Sequence, residues 1–281
     1  MNKCTISKLI HDSHEILSCG YGDLDIHGRV RHNTLEDWNY HRNVKEPITR
    51  IIQKYLPKKP FVMLDAGCGN GQLFHLYSSL GAYKIYGVDF GQSMLRLAVN
   101  RARVNSIRFI PLRARLEDLG CINADSFDLI NMYGVIEHLP DHTLVLRQLE
   151  RVLAPNGILI VSVPRKWSLA WLTYFLFCRS LADYAGQETR LERVLRFKKM
   201  ALYRFFTKRD IGNLLPRAGS LNLLETVPIA YGGVVGQVNW PLRKAAQKGN
   251  YSGIDRWNKI CKSIGLIPAG EYLILTKVDN G

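Results

Sequence analysis

The chain has 281 residues, a hydrophobic fraction of 47% and a formal net charge of +14. A chain of this length and composition can bury a sizeable core, and it shows no internal repeat or low-complexity segment. Its six cysteines form no Cys-x-x-Cys pair, and the first twelve residues lack the apolar core of a signal peptide. These features argue against a disulfide-built secreted protein, and we expect a cytoplasmic protein with free thiols.

Helices and strands alternate through most of the chain. A helix is predicted from about 34 to 55, kinked or divided at Pro47, and a Pro-Lys-Lys-Pro stretch follows it. The predicted strands cover 61–66, 84–89, 106–111, 127–132, 157–163, 221–227 and 271–278. Helices between them are predicted at 70–80, 91–104 and 141–152. Such alternation predicts a parallel sheet with right-handed crossovers.

Two carboxylates and three glycines lie where the first two predicted strands end. Asp65 precedes Gly67, Gly69 and Gly71, and Asp89 ends the second strand. The spacing departs from the Gly-x-Gly-x-x-Gly loop that binds pyrophosphate, and an acid before the first glycine suits a cation better than a phosphate. A carboxylate at the second tip can accept both ribose hydroxyls. The pattern indicates a positively charged ribonucleoside such as S-adenosylmethionine, with a nicotinamide or flavin nucleotide as the rival ligand.

Later segments resemble the class I S-adenosylmethionine-dependent methyltransferases in the same order along the chain. The resemblance is carried by the glycine loop and by residues 126–130, 135–141, 153–160 and 206–219. It implies an α/β, Rossmann-like fold with a seven-stranded, mostly parallel sheet and helices on both faces. In that family one of the last two strands runs antiparallel at the sheet edge.

Three regions are expected. Residues 1–56 form an N-terminal helical cap segment, residues 57–164 and 206–281 form the methyltransferase core, and residues 165–205 form a helical insertion after strand 5 that acts as a substrate lid. The insertion opens with ten largely apolar residues, 169–178, which are too few to span a bilayer.

Positive charge is concentrated around this insertion. Residues 165–209 carry eleven Lys/Arg against three Asp/Glu, which is +8 of the total +14. A lid with a solvated basic face, peripheral contact with an anionic membrane, and nucleic-acid binding are the alternatives. Nucleic acid is the least favoured, since no RNA-binding motif is visible.

The Glu137-His138 pair resembles that of the ubiquinone-biosynthesis O-methyltransferases. His138 is the candidate base, because an unperturbed histidine titrates near neutral pH; the alternative is a histidine hydrogen-bonded to a helix start. In that group a glutamate three residues earlier helps to hold a divalent metal, whereas this chain has Gly134. We therefore predict no metal.

Other cofactor contacts follow from the same resemblance. Phe90 lies beside Asp89, and the adenine is expected against the backbone around Leu116 and against Glu117 or Asp118. Tyr133 is expected to line the methionine part of the pocket, and Arg42 to meet the cofactor carboxylate.

The sequence thus favours a methyltransferase that acts on an oxygen of a small hydrophobic or aromatic molecule. Methylation of nitrogen, carbon, RNA or protein is an alternative, as is a non-catalytic module that binds the cofactor or a lipid surface. The expected partners are a small-molecule acceptor and an anionic membrane; the sequence does not indicate an oligomeric state.

Overall fold

The computed structural model describes residues 40–56, 60–172, 204–217, 219–231 and 251–277. Its strands, in chain order, are β1 (Phe61–Ala66), β2 (Ala82–Asp89), β3 (Phe109–Arg113), β4 (Phe127–Met132), β5 (Leu153–Pro164), β6 (Leu221–Ile229) and β7 (Gly270–Lys277). Its α-helices are α1 (Glu46–Tyr55), α2 (Phe74–Ser79), α3 (Gln92–Val104), α4 (His142–Val152), α5 (Lys208–Leu214) and α6 (Ser252–Ser263).

All seven strands form one sheet in the order β3-β2-β1-β4-β5-β7-β6. The first five strands are parallel, and β7 runs antiparallel to both of its neighbours. The predicted seven-stranded, mostly parallel sheet is confirmed. The expected edge position of the antiparallel strand was wrong, because β7 lies inside the sheet and β6 forms the edge.

The composition of the two strands explains this arrangement. Strand β7 is apolar and almost completely buried, whereas β6 carries Asn222, Glu225 and Pro228 and is largely exposed. A proline has no N–H for a second ladder and therefore fits an edge strand. The more apolar strand takes the interior position.

Helices cover both faces of the sheet, as predicted. Apolar side chains of α1, α2 and α3 pack in one buried cluster, and those of α4 and α5 pack in another on the opposite face. Because the first five strands are parallel, their carboxyl ends lie at the same edge of the sheet, where ligands of such sheets bind.

Most predicted elements agree with the structure, and β3 shows why one differs. It begins at Phe109 rather than at 106, because the end of α3 takes up the preceding residues. Ser106 has a φ of 54°, and the N–H of Ile107 donates to the Ala102 carbonyl at 2.9 Å. This turn ends helix α3 and places the start of β3 at Phe109.

The N-terminal helix is divided where Pro47 predicted a break. A π-helical turn, Tyr40–Lys45, leads into α1, and Pro47 lies in the first turn of α1, where an N–H donor is not needed. Ile48, Ile51 and Ile52 are buried against the sheet. Residues 34–39 of the predicted helix lie outside the described residues.

Helix α6 was not predicted. It buries only Ile254 and Cys261, seven residues apart, so its apolar stripe is too narrow to stand out in the sequence. Helix α5 lies within residues 206–219, one of the segments that carry the family resemblance, and its Thr207 and Asp210 form a capping box.

The two ends of the insertion lie side by side. The N–H of Lys166 donates to the Phe206 carbonyl, and the N–H of Phe206 donates to the Pro164 carbonyl, both at 2.9 Å. The interior of the insertion, 173–203, lies outside the described residues, so the division into cap, core and lid stays a prediction. No helix within the described ranges is long and apolar enough to cross a membrane.

Candidate active site

The glycine loop after β1 is built from left-handed backbone. Gly67, Gly69 and Gly71 have φ values of +79°, +51° and +74°. A Cβ at Gly67 would overlap the side chain of Val135, whereas a Cβ at Gly69 would meet no described atom within 4 Å. Gly67 therefore serves close packing, and Gly69 presents bare backbone to open space.

Asp89 ties the end of β2 to this loop. Its Oδ2 accepts the N–H of Gly69 at 2.9 Å, and its Oδ1 accepts the N–H of Gly91 at 2.8 Å. Each carboxylate oxygen has a second lone pair, so Asp89 can still accept hydrogen bonds from a ribose. The structure thus places this predicted residue at the carboxyl end of β2, beside the loop.

Asp65 lies beneath the loop rather than on its surface. Strand pairing sets it next to Asn131 of β4, and the Tyr77 hydroxyl donates to its Oδ1 at 3.4 Å. The Nδ2 of Asn131 donates to the Tyr77 hydroxyl at 2.6 Å. Burial, and to a smaller extent the nearby Asp89 charge, raises the pKa of the Asp65 carboxyl to about 7. No sequence pattern indicates Tyr77 or Asn131, because the two residues lie on separate elements.

The adenine-side residues lie at the ends of β2 and β3. The carbonyl of Phe90 accepts a hydrogen bond from Nε of Arg113 at 3.4 Å. The Leu116 side chain is buried in the core, so only its backbone is available to a ligand. Glu117 is partly exposed, and its carboxylate lies 3.7 Å from Nε of Arg115.

Tyr133 and Glu137 form the buried part of the site after β4. The rings of Tyr133 and Tyr272 have centroids 6.2 Å apart. Burial, followed by the charge of Glu137, raises the pKa of Tyr133 to about 12. Glu137 is only 5% exposed, and its Oε2 has no hydrogen-bond partner among the described residues. Burial raises the pKa of Glu137 to about 7.

His138 follows in the same 3₁₀ turn, Ile136–His138. It is partly exposed, and its backbone N–H donates to the Val135 carbonyl at 2.9 Å. The sequence singled out His138 as the base, and the structure adds its buried neighbour Glu137, whose environment the sequence did not reveal. The glycine four residues earlier, Gly134, has a φ of +68° and donates its N–H to Oγ of Ser162 at 2.8 Å.

Arg42 is engaged by two carboxylates. Its guanidinium pairs with Glu46 and, at 3.1 Å, with Asp255 of α6. A cofactor carboxylate would have to share the Arg42 guanidinium with these two carboxylates, so that role stays a prediction.

Comparisons with known proteins agree with this geometry. Residues 64–161 match the family described as "Methyltransferase domain". The "Ubiquinone biosynthesis O-methyltransferase" of Neisseria meningitidis is 27% identical over 170 residues, which are 60% of this chain and 67% of that protein. A protein of the same name from Xanthomonas oryzae is 31% identical over 100 residues, which are 36% of this chain and 41% of that protein.

Solved structures show the same fold. Magnesium protoporphyrin IX methyltransferase from Synechocystis, solved with bound S-adenosylhomocysteine, superposes with a TM-score of 0.59 at 14% identity, over 97% of this chain and 99% of that chain. A putative methyltransferase of Haloferax volcanii superposes with a TM-score of 0.58 at 13% identity, with the same two coverages.

Together, the sheet, the glycine loop and the family match over residues 64–161 support a class I S-adenosylmethionine-dependent methyltransferase. They also support S-adenosylmethionine as the methyl donor.

Proposed function

We propose that this enzyme methylates an oxygen atom of a small hydrophobic or aromatic acceptor. The observation that carries the proposal is Glu137, a buried carboxyl with an unpartnered Oε2 in the described structure, placed just after β4 at the open edge of the sheet. The matched relatives named O-methyltransferases support the same choice.

The chemistry explains why a carboxyl in this place favours oxygen. The sulfonium donor makes the methyl group electrophilic, so the protein chiefly aligns the acceptor with the sulfur–methyl bond. A hydroxyl acceptor must also lose its proton, which requires a base whose pKa lies near the working pH. The pKa of Glu137 is raised to about 7. Glu137 and the adjacent His138 are thus the two candidate bases.

The cofactor contacts are proposed in the same frame. Asp89 binds the ribose hydroxyls, the loop of Gly67, Gly69 and Gly71 lies against the cofactor, and Asp65 acts on its positive charge. The adenine end is held by Phe90, the Leu116 backbone and Glu117, and the methionine end by Tyr133 and Arg42.

The test uses the purified protein and isotopically labelled S-adenosylmethionine. A panel of lipophilic catechols, phenols and amines, together with a cell extract, is incubated with the enzyme and the products are analysed by mass spectrometry. We expect labelled O-methyl products from hydroxyl acceptors. Label found only on amines, carbon centres, RNA or protein would overturn the proposal, and tight cofactor binding without transfer would support a non-catalytic module.

Two single variants then identify the base. If Glu137 accepts the proton, Glu137→Gln lowers turnover by about two orders of magnitude, while His138→Gln changes it far less. Calorimetric binding of S-adenosylmethionine serves as the control for both variants, since neither should change it strongly. The reverse ranking would assign the base to His138.

Contact with an anionic membrane is a second proposal, and it concerns where the enzyme works. Trp167 begins the insertion 60% exposed, with a φ of +67°, and Leu172 is 41% exposed. The ammonium of Lys166 lies 5.1 Å from the centre of the Trp167 ring, and the Trp171 ring lies 4.6 Å from it. An exposed tryptophan beside a lysine suits the boundary between lipid headgroups and acyl chains.

Sedimentation with liposomes tests this contact. We expect the protein to sediment with anionic vesicles and not with neutral ones, and Trp167→Ser to reduce the bound fraction. Ile264→Ser is the matched control, because Ile264 is 65% exposed but follows α6 rather than starting the insertion. Equal losses in both variants, or no sedimentation at all, would exclude the proposed contact.

A further inference from the structure

Asp65 is the acidic member of a buried hydrogen-bonded cluster. It is 4% exposed, while its neighbours Tyr77 and Asn131 are completely buried. The Tyr77 hydroxyl donates to Asp65 at 3.4 Å and itself accepts from Nδ2 of Asn131 at 2.6 Å. The Oδ1 of Asn131 has no hydrogen-bond partner among the described residues. The cluster is therefore built around the Asp65 carboxyl and yet is not fully satisfied.

The groups that face Asp65 come from three elements and the loop. Helix α2 contributes Tyr77, β4 contributes Asn131, β2 contributes Asp89, and the glycine loop contributes the Cys68 thiol. The pKa values of Tyr77 and Cys68 are both raised, first by burial and then by the charge of Asp65, so neither supplies a charge near neutral pH. Tyr272 of β7 acts on Tyr77 and is likewise held neutral by burial.

Asp65 is consequently a buried carboxyl whose ionisation is opposed by the like charge of the nearby, partly exposed Asp89. Like charges placed this way disfavour ionisation of the more buried one, and a cation brought between them reverses that preference. The donor and the demethylated product differ in charge only at sulfur, because the sulfonium becomes a neutral thioether when the methyl group leaves.

We infer that Tyr77 and Asn131 are positioning residues that make Asp65 sense the charge on the cofactor sulfur, so that the donor binds with Asp65 ionised and the product binds with Asp65 protonated. Donor binding then releases the Asp65 proton to solvent, and Asp65 takes up a proton once the methyl group has been transferred. The inference rests on the proposed placement of Asp65 beside the cofactor, and it does not depend on which acceptor is methylated.

Calorimetry of the whole protein tests this linkage directly. S-adenosylmethionine and S-adenosylhomocysteine are titrated at pH 7 in buffers of different ionisation enthalpy, which measures the protons exchanged on binding. Because the pKa of Asp65 in the free protein is about 7, we expect about half a proton released per donor bound and about half a proton taken up per product bound. The donor Kd should tighten about tenfold between pH 6 and pH 8, while the product Kd should weaken about tenfold over the same range.

Two variants distinguish a positioning role of the cluster from a role in protein stability alone. Asp65→Asn should abolish the proton release and the difference in pH dependence between donor and product. Tyr77→Phe removes the hydroxyl that favours the ionised carboxyl, and it should therefore move the midpoint of donor binding to higher pH. Tyr86→Phe is the control, because it makes the same chemical change on the opposite face of the sheet.

Equal proton exchange for donor and product would overturn the inference, as would identical pH profiles for Tyr77→Phe and Tyr86→Phe. Either result would leave methyl transfer itself intact. If Tyr77→Phe does not fold, the comparison of the native protein with Asp65→Asn still decides between the outcomes. Loss of binding of both ligands in the native protein would instead contradict the cofactor site.

Discussion

Gly67 and Gly69 differ in what a side chain would meet, although they are two residues apart. Both have left-handed backbone, but only at Gly67 would a Cβ overlap another side chain, that of Val135. We expect Gly67→Ala to destabilise the fold by more than the roughly 1 kcal/mol of left-handed strain. Gly69→Ala should carry only that strain, yet it should weaken cofactor binding because its methyl group enters the open space. Urea denaturation and calorimetry on both variants measure the two effects, and equal effects on stability would contradict the distinction.

The buried carboxyls Asp65 and Glu137 predict how stability depends on pH. Their pKa values rise from 3.8 and 4.5 to about 7, so the folded chain binds these protons more tightly than the unfolded chain does. Their contribution to stability is complete below the unfolded pKa values and is lost as the pH rises through about 7. Relative to the native protein, the double variant Asp65→Asn, Glu137→Gln should lose less unfolding free energy between about pH 5 and pH 8. Urea denaturation across this range measures the slope; an unchanged slope would show that neither carboxyl is perturbed.

For single residues, the sequence predicted the position along the chain better than the burial and contacts of the side chain. Asp65 and Asp89 were placed at strand ends because an acid directly after an apolar run is visible in one dimension. Tyr77 and Asn131 were not found, because their meeting depends on how α2 lies across β1 and β4. Glu137 was recognised only as half of a pair, since burial of its carboxyl depends on the three-dimensional turn after β4.

The junction between β5 and β7 contains a buried ion pair. Nη1 of Arg165 lies 2.6 Å from Oε1 of Glu271, and their side chains are 5% and 12% exposed. Removing one partner leaves an unpaired charge in the buried interior. Glu271→Gln should therefore destabilise the protein by about 3–5 kcal/mol. The double variant Arg165→Met, Glu271→Leu should recover most of that loss, because no charge is then left buried.

An exposed pair provides the control for this cycle. Asp255 pairs with Arg42 across the surface, where the two side chains are 31% and 44% exposed. Asp255→Asn should change the unfolding free energy by less than about 1 kcal/mol. Denaturant titrations of all four proteins measure these differences, and a mild effect of Glu271→Gln would mean that water reaches Arg165.

Helices and strands that bury many apolar side chains were predictable from the sequence, and those that bury few were not. Strands β1 and β4 have the predicted bounds, because a run of apolar residues ends at a turn on each side. Helix α6 was missed because it lies mostly on the surface and buries only two side chains.

The whole molecule carries a net charge of +14, which destabilises a compact state through self-repulsion. Added salt screens such repulsion over a distance of about 10 Å at 0.1 M. We therefore expect the melting temperature to rise as NaCl increases from about 10 to about 300 mM. Differential scanning calorimetry measures this change, with a neutral osmolyte at matched osmolality as the control. A falling melting temperature would show that attractive surface pairs outweigh the net repulsion.

The order of the strands combines what the sequence could and could not predict at the scale of the molecule. Five strands separated by three helices predict a parallel sheet, because each helical crossover returns the chain to the same edge. The relative positions of β6 and β7 depend on which strand can be buried more completely. That depends on how each strand packs beside β5 in three dimensions, which the order of the residues does not show.

The turn at Gly134 has one consequence for redesign. A substituent at its Cα would point into space free of described atoms, although the backbone is left-handed there. The barrier to adding a side chain is thus conformational rather than steric, on the order of 1–2 kcal/mol. A new group at this position would reach the surroundings of the Glu137-His138 turn without repacking the interior, which makes it a suitable point for altering selectivity.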